Sequence, residues 1–386
     1  MSLTQLVTAA KAAQASDLHL EPGLPPCARV RGQLRNLSSE ALDGRTLLGY
    51  AREVITDEHW AGFLERRSHD VSRTIGNARC RINVLCTARG VGLAIRFLAS
   101  FQATLSHLNL HPDLLRMVQP HNGLVLVSGA TGSGKSTTLA ALVQEINERE
   151  RRHIVTLESP IEYAFLPRQA FIRQREVGRD TPSFEQGLYD SMREDPDVLM
   201  VGELRDAETM RLTLNAAETG HLVLTTLHSS TAAEALQRIV GAFPAESQPG
   251  VCAQLADCLV GVVCQRMRFL PERNARAPEC EVLLATQSVK AIVRQGQFFK
   301  LQTALETGGN EGCFTFQRYR EWLEKRTSWS SPPPEVPLPA SEPLPELIAP
   351  APASAKKAAP VPAQEGVLEI QEGDEDLASI LSELEK

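Results

Sequence analysis

The residues with the most pointed chemistry form one run: Gly129, Ala130, Thr131, Gly132, Ser133, Gly134, Lys135 and Ser136 fit the pattern G-x-x-x-x-G-K-[ST]. Glycines at these positions let successive backbone N–H groups turn inward around phosphate oxygens. Lys135 is placed to reach the outer phosphates and Ser136 to hold Mg2+, while Thr137 opens the helix-forming run to Asn147 and belongs with the nucleotide-binding residues. The apolar run Leu124 to Ser128 comes directly before, so the strand–loop–helix context of a phosphate loop is complete.

A second acid follows downstream. The apolar run Asp197 to Glu203 delivers a carboxylate at the C-terminal end of a strand, the edge where open α/β sheets bind ligands. Behind a phosphate loop, Glu203 is the natural partner of the Mg2+, directly or through water, which makes Ser136 and Glu203 the candidate metal ligands. His221 and His228 flank the apolar stretch Leu222 to Leu227, and on residue type alone each reads as a satisfied core histidine. Glu162, two residues after Pro160, alone reads as a solvated carboxylate.

Two patterns must position these groups. Residues 1–100 read as a small α+β domain: Leu3, Leu6, Val7 and Ala10 have helical spacing, Asp17 to Leu20 and Ala28 to Arg31 read as short strands, and Arg79 to Phe97 alternates around Gly90 and Gly92. A linker is expected over 101–121. From Asn122 to about 329, apolar runs at Leu124–Val127, Ile154–Leu157, Val198–Val201 and Leu222–Leu227 alternate with helical stretches, the signature of a parallel sheet in a doubly wound α/β domain.

Composition sets limits. Hydrophobic residues make up 42% and aromatics 5% of 386 residues, and no run approaches the roughly 20 apolar residues a membrane helix needs. The N-terminus lacks a basic leader and an apolar signal core, so a cytoplasmic location is expected. The eight cysteines never form Cys-x-x-Cys and read as buried free thiols; Cys252, Cys258 and Cys264, taken as one helix, would spread around its cylinder rather than converge on a metal. The net charge of −7 lies in the tail: from Ser330 onward there are 11 acidic residues against 3 lysines, leaving 36 acidic and 37 basic before it. A balanced body with few aromatics argues against a nucleic-acid translocase, which needs a basic groove and stacking platforms.

The tail itself holds 11 of the 24 prolines. Residues 330–365 read as an extended, disordered linker. In the acidic segment 366–386, Leu377, Ile380, Leu381 and Leu384 form an i, i+3, i+4, i+7 stripe, which is either a small docking helix or an inert stretch too short to hold structure.

The wording around these motifs resembles the type II/IV secretion and pilus ATPase family. Ser128 to Thr138 resembles its Walker A motif, Asp195 to Asp206 its Walker B motif, Leu157 to Tyr163 its acidic box, and Thr219 to His228 its His box. The resemblance runs from about Ser16 to Glu324 and implies a RecA-like P-loop ATPase domain, a smaller PAS-like N-terminal domain, ATP and Mg2+ as ligands, and a homo-hexameric ring. It assigns Glu162 and Glu203 as catalytic acids, with Glu162 positioning or deprotonating the attacking water, and His221 and His228 as nucleotide sensors. Arg81, Arg89 and Arg96 match the arginines that reach phosphates on a neighbouring subunit, and Arg175 reads as structural or inter-subunit.

Within that family the absence of a long N-terminal extension and of a four-cysteine subdomain points to the PilT/PilU-like retraction branch, which powers twitching motility. The implied setting is the cytoplasmic face of the inner membrane, against a pilus platform protein. Two features depart from the family pattern. Ser159 stands where aspartate is usual, and the retraction-helix signature survives only as Ser288-Val-Lys-Ala-Ile-Val-Arg-Gln295. The competing readings are an accessory or regulatory paralogue acting with a second retraction ATPase, and a pilus-assembly or type II secretion ATPase.

Overall fold

The computed structural model describes residues 1–333 apart from 31, 77, 99, 274 and 332. The expected linker 330–365, nearly whole, and the expected segment 366–386 with its leucine stripe lie outside the described residues.

The chain begins with α1 (Leu3–Ala12), whose Leu3, Leu6, Val7 and Ala10 are buried; Ser2 and Gln5 form a capping box at its start. There follow β1 (Ala15–Leu20), β2 (Cys27–Val30), β3 (Gln33–Asn36), α2 (Gly44–Val54), α3 (Asp57–Arg66), β4 (Ser68–Ile75), β5 (Ala78–Thr87) and β6 (Gly90–Phe97). The strands form an antiparallel sheet in the order β3-β2-β1-β6-β5-β4. Leu18, Leu20, Ile82, Val84, Leu93 and Ile95 share one core with apolar residues of the three helices. Alternation puts the opposite residues on the other face, where Arg81 pairs across strands with Arg96 and Arg96 with Asp17.

A second core starts at Phe101. It holds β7 (Ser100–Phe101), β8 (Gly123–Ser128), α4 (Lys135–Arg149), β9 (His153–Glu158), β10 (Ala164–Phe165), β11 (Phe171–Glu176), α5 (Phe184–Ser191), β12 (Val198–Val201), α6 (Ala207–Glu218) and β13 (Leu222–Leu227). It closes with α7 (Ala232–Gly241), α8 (Gln248–Cys258), β14 (Leu259–Leu270), β15 (Ala275–Leu284), α9 (Gln287–Arg294), α10 (Leu301–Thr307) and α11 (Phe316–Glu324). The main sheet runs β11-β9-β12-β13-β8-β14-β15, parallel except for the antiparallel β14–β15 pair. Every residue of β8, β12 and β13 is buried, as strands covered on both faces require. Side-chain caps start the helices that follow β11, β12 and β13: Ser183, Asp206 and Thr231 each accept the backbone N–H three residues on.

Two expectations change here. The segment 101–121 is no free linker: Leu105, Leu110, Leu114 and Met117 are buried in the main core, and the Leu105 N–H donates to Glu145 Oε1 at 3.0 Å. Cys252 and Cys258 do lie on α8, but Cys264 is in β14, so the three share no helix. All three are buried, and burial pushes the Cys258 thiol up to about 12. Among the described residues no helix is long and apolar enough to cross a membrane.

Candidate nucleotide site

After β8 the backbone passes through Gly129 (φ 147°), Gly132 (φ 77°) and Gly134 (φ 84°) before α4 begins. These are conformations that side-chain-bearing residues resist. Space adds a second constraint. A Cβ at Gly129 would lie 2.3 Å from the Gln265 carbonyl oxygen and 2.6 Å from Ser133 Oγ, and one at Gly134 would lie 2.8 Å from Gln265 Nε2. Gln265, buried on β14, braces the loop directly: Nε2 donates to the Ser133 carbonyl at 2.6 Å, and Oε1 accepts from the Thr138 hydroxyl at 2.6 Å. On the other side, Ser128 Oγ donates to the Ser229 carbonyl and accepts from the Ser229 N–H, both at 2.9 Å.

Lys135 is 8% exposed, and its ammonium donates to the carbonyls of Gly129 at 2.9 Å and Ala130 at 3.1 Å. Burial pulls its pKa below the usual lysine value, while the carboxylates of Glu203 and Glu162 oppose that shift. The same ammonium faces His228 Nδ1 at 3.4 Å. An ammonium only donates, so Nδ1 accepts and the ring hydrogen sits on Nε2, 3.1 Å from Glu203 Oε1. Arg205 Nε donates to the other oxygen, Oε2, at 2.9 Å. Lys135, His228 and Glu203 thus form one line of contacts from the loop to the C-terminal ends of β13 and β12.

Glu162 is exposed on the turn after β9, as is Ser159 three residues before it. That turn is anchored from below. Glu158, 6% exposed at the end of β9, accepts at Oε1 from the Thr156 hydroxyl at 2.6 Å and from Gln174 Nε2 at 3.1 Å. Gln174 Nε2 donates in addition to the Tyr163 carbonyl at 2.8 Å, and Tyr163 OH meets Thr137 Oγ1 at 2.9 Å in the first turn of α4. Burial pushes the Glu158 carboxyl up to about 7, against the opposing effect of its hydrogen bonds.

The remaining candidates lie elsewhere. His221 sits at the opposite end of β13, where its carbonyl accepts the Gly123 N–H at 3.0 Å and its Nδ1 faces the Ala216 carbonyl at 3.0 Å. A strand of six residues separates it from His228, about 20 Å, so within one chain only His228 faces the loop. Direct sensing by His221 in its own subunit has no geometric route. Arg96 Nε donates to Asp17 Oδ1 at 2.9 Å. Arg81 lies 3.6 Å from Asp70 and acts on Glu176, while Arg89 is exposed at the β5–β6 turn. Arg175 pairs with Glu194 at 2.8 Å. Ser136 is exposed in the first turn of α4.

The family model described as Type II/IV secretion system protein matches residues 1–313. The chain belongs to this family. It is 38% identical over 316 residues to the type IV pilus retractation ATPase PilT of Pseudomonas aeruginosa, an overlap of 82% of this chain and 92% of that protein. It is 40% identical over 319 residues to a protein of Escherichia coli called YggR, an overlap of 82% and 97%. Among solved structures, the pilus retraction motor PilT with bound ADP superposes with a TM-score of 0.72 at 33% identity, covering 85% of this chain and 98% of that one.

Three residues of the site carry no task that the sequence motifs assign. Gln265 is the amide in an otherwise apolar run, Leu259 to Gln265, and its place at a buried strand position was the available signal. Glu158 lies inside the acidic box without a task of its own, and Gln174 is an ordinary polar residue until β11 is laid beside β9.

Proposed function

We propose that the chain is an ATP-hydrolysing motor subunit that powers type IV pilus retraction, acting as a six-membered ring at the cytoplasmic face of the inner membrane against the pilus platform. The observation that carries this reading is the contact line Lys135–His228–Glu203 at the mouth of a glycine-built phosphate loop, with Glu162 close enough for its charge to act on Lys135. Phosphoryl transfer asks the protein chiefly for charge neutralisation and a placed water. Lys135 and the loop N–H groups take the phosphate charge, and Glu162 orients the water and receives its proton. His228 bridges Glu203 and Lys135 through its two ring nitrogens.

The loop suits a phosphate ligand: Ser133 Oγ is buried without a partner, and a Cβ at Gly132 would meet nothing within 4 Å. Ser136 and Glu203 would hold Mg2+, which supplies positive charge to the phosphate oxygens when bound. Arg81, Arg89 and Arg96 would serve a neighbouring copy, for which Arg81 and Arg96 would exchange their own-sheet partners Asp70 and Asp17 for phosphate.

The test is Mg-ATP hydrolysis by the purified full-length ring. Lys135→Ala is expected to abolish nucleotide binding, whereas Glu162→Ala and Glu203→Ala keep binding and lose turnover. No hydrolysis in any oligomeric state would count against the proposal. In the host, deletion of the gene is expected to leave excess pili that do not retract; loss of pili would instead mean assembly.

One observation favours a second reading. Ser159 lies exposed three residues before Glu162 without the carboxylate usual in the family, which suits a weakly hydrolysing regulatory subunit working with a second retraction ATPase.

A further inference from the structure

We propose that Glu158, braced by Gln174, is a positioning residue for Glu162: it holds the turn from Ser159 to Glu162 in the geometry that hydrolysis requires. The inference deepens the reading of Glu162 given above and rests on it. β9 ends at Glu158; in the turn beyond it Ile161 is buried, while Ser159 and Glu162 are exposed. Two buried carboxylates pin the turn. Glu158 accepts from the Gln174 amide, which also donates to the carbonyl of Tyr163 directly after Glu162, and Glu176, the register partner of Glu158 on β11, accepts the Ile161 N–H at 3.3 Å. Gln174 then locks the arrangement, because one amide donates to Glu158 and to the Tyr163 carbonyl while its oxygen accepts the Phe165 N–H at 2.9 Å. Through Tyr163 and Thr137 the same network touches the phosphate loop's helix.

A buried carboxylate is an expensive acceptor for the Gln174 amide, since a neutral amide oxygen could accept the same bond without a charge to desolvate. What ionisation adds is strength. A charged acceptor binds an N–H roughly twice as firmly as a neutral one, so the turn is tight only while Glu158 is ionised. The charged groups around it are few. Glu162 lies on the turn and raises its pKa, and Glu176 lies on β11 with Arg179 and Arg81 acting upon it. From β12 the neighbour is the uncharged Gly202, followed by Glu203.

The experiment uses the full-length chain as wild type, Glu158→Gln and Gln174→Met. Amide hydrogen exchange across residues 159–163, corrected for the intrinsic rate, is followed from about pH 5.5 to about 8.5 beside kcat and KM for ATP. In the wild type, exchange in the turn is expected to rise about 10-fold as pH falls through 7, with kcat falling in the same window and KM nearly constant. Glu158→Gln shows fast exchange and reduced kcat without a limb near pH 7. Gln174→Met, which removes a bond to the charged form, moves the limb to higher pH. Protection that is independent of pH and unchanged in Glu158→Gln overturns the proposal. Exchange needs no turnover, so an inactive ring would count against the motor reading while the exchange data still decide the role of Glu158.

Discussion

His228 Nε2 lies 3.1 Å from Glu203 Oε1, and its other ring nitrogen lies 3.4 Å from the Lys135 ammonium. One imidazole therefore joins the ammonium proposed to meet phosphate to the acid at the end of β12. Losing a partner from such a partly buried polar network costs about 1–3 kcal/mol. His228→Ala is expected to lower kcat about 10- to 100-fold with modest change in nucleotide affinity. Steady-state hydrolysis and a fluorescent-nucleotide titration check this, and an unchanged kcat would remove His228 from the machinery.

The loop glycines are not equivalent. At Gly132 a Cβ would meet nothing within 4 Å, so Gly132→Ala carries only the left-handed backbone penalty of about 1–2 kcal/mol. At Gly129 the same methyl would collide with the Gln265 backbone at 2.3 Å, and β14 cannot retreat without parting from β8 and β15. Gly129→Ala is expected to cost at least about 3 kcal/mol and to weaken nucleotide binding far more than Gly132→Ala. Thermal melts and binding titrations on the two variants separate strain from collision.

Why the phosphate loop was legible and its brace was not follows from chain geometry. Residues 129–136 act as a contiguous segment, and the burial of β8, β12 and β13 on both faces writes itself as predominantly apolar runs. Gln265 reaches the loop only because β14 lies beside β8, a pairing no local pattern encodes. His221 and His228 looked alike because both flank one strand; strand direction puts them on opposite edges. Segment 101–121 reads as a linker because the helical spacing of its buried Leu110, Leu114 and Met117 lasts only two turns and Leu105 falls outside it. The acidic box was visible as a motif, but the roles of Glu158 and Gln174 appear only once β11 pairs with β9.

Glu158 also predicts a pH dependence of stability. Its carboxyl rises from 4.5 to about 7 on folding, so the folded chain binds more protons than the unfolded chain between those values. The contribution is fully present below about pH 4.5 and is lost as pH rises through 7, about 3 kcal/mol in all. Denaturant melts at about pH 5.5 and about pH 8 are expected to show Glu158→Gln gaining on the wild type at the higher pH. Parallel curves for the two proteins would mean that Glu158 stays ionised when buried. With turnover expected to fall and stability expected to rise as pH drops through 7, the two are expected to pull opposite ways at this residue.

Ser159 offers the sharpest division between an autonomous motor and a regulatory subunit. It is exposed, so Ser159→Asp places its carboxylate in solvent on the turn that carries Glu162 with little desolvation and little effect on folding. If the missing acid is what limits this chain, Ser159→Asp raises kcat several-fold, about 1 kcal/mol in the barrier, and leaves the melting temperature within a degree or two. If the chain is already a competent motor, the added charge only repels Glu162 and the phosphates, and kcat stays flat or falls. Single-turnover hydrolysis by the purified ring reads the chemical step apart from product release, and the sign of the change assigns the chain to one role or the other.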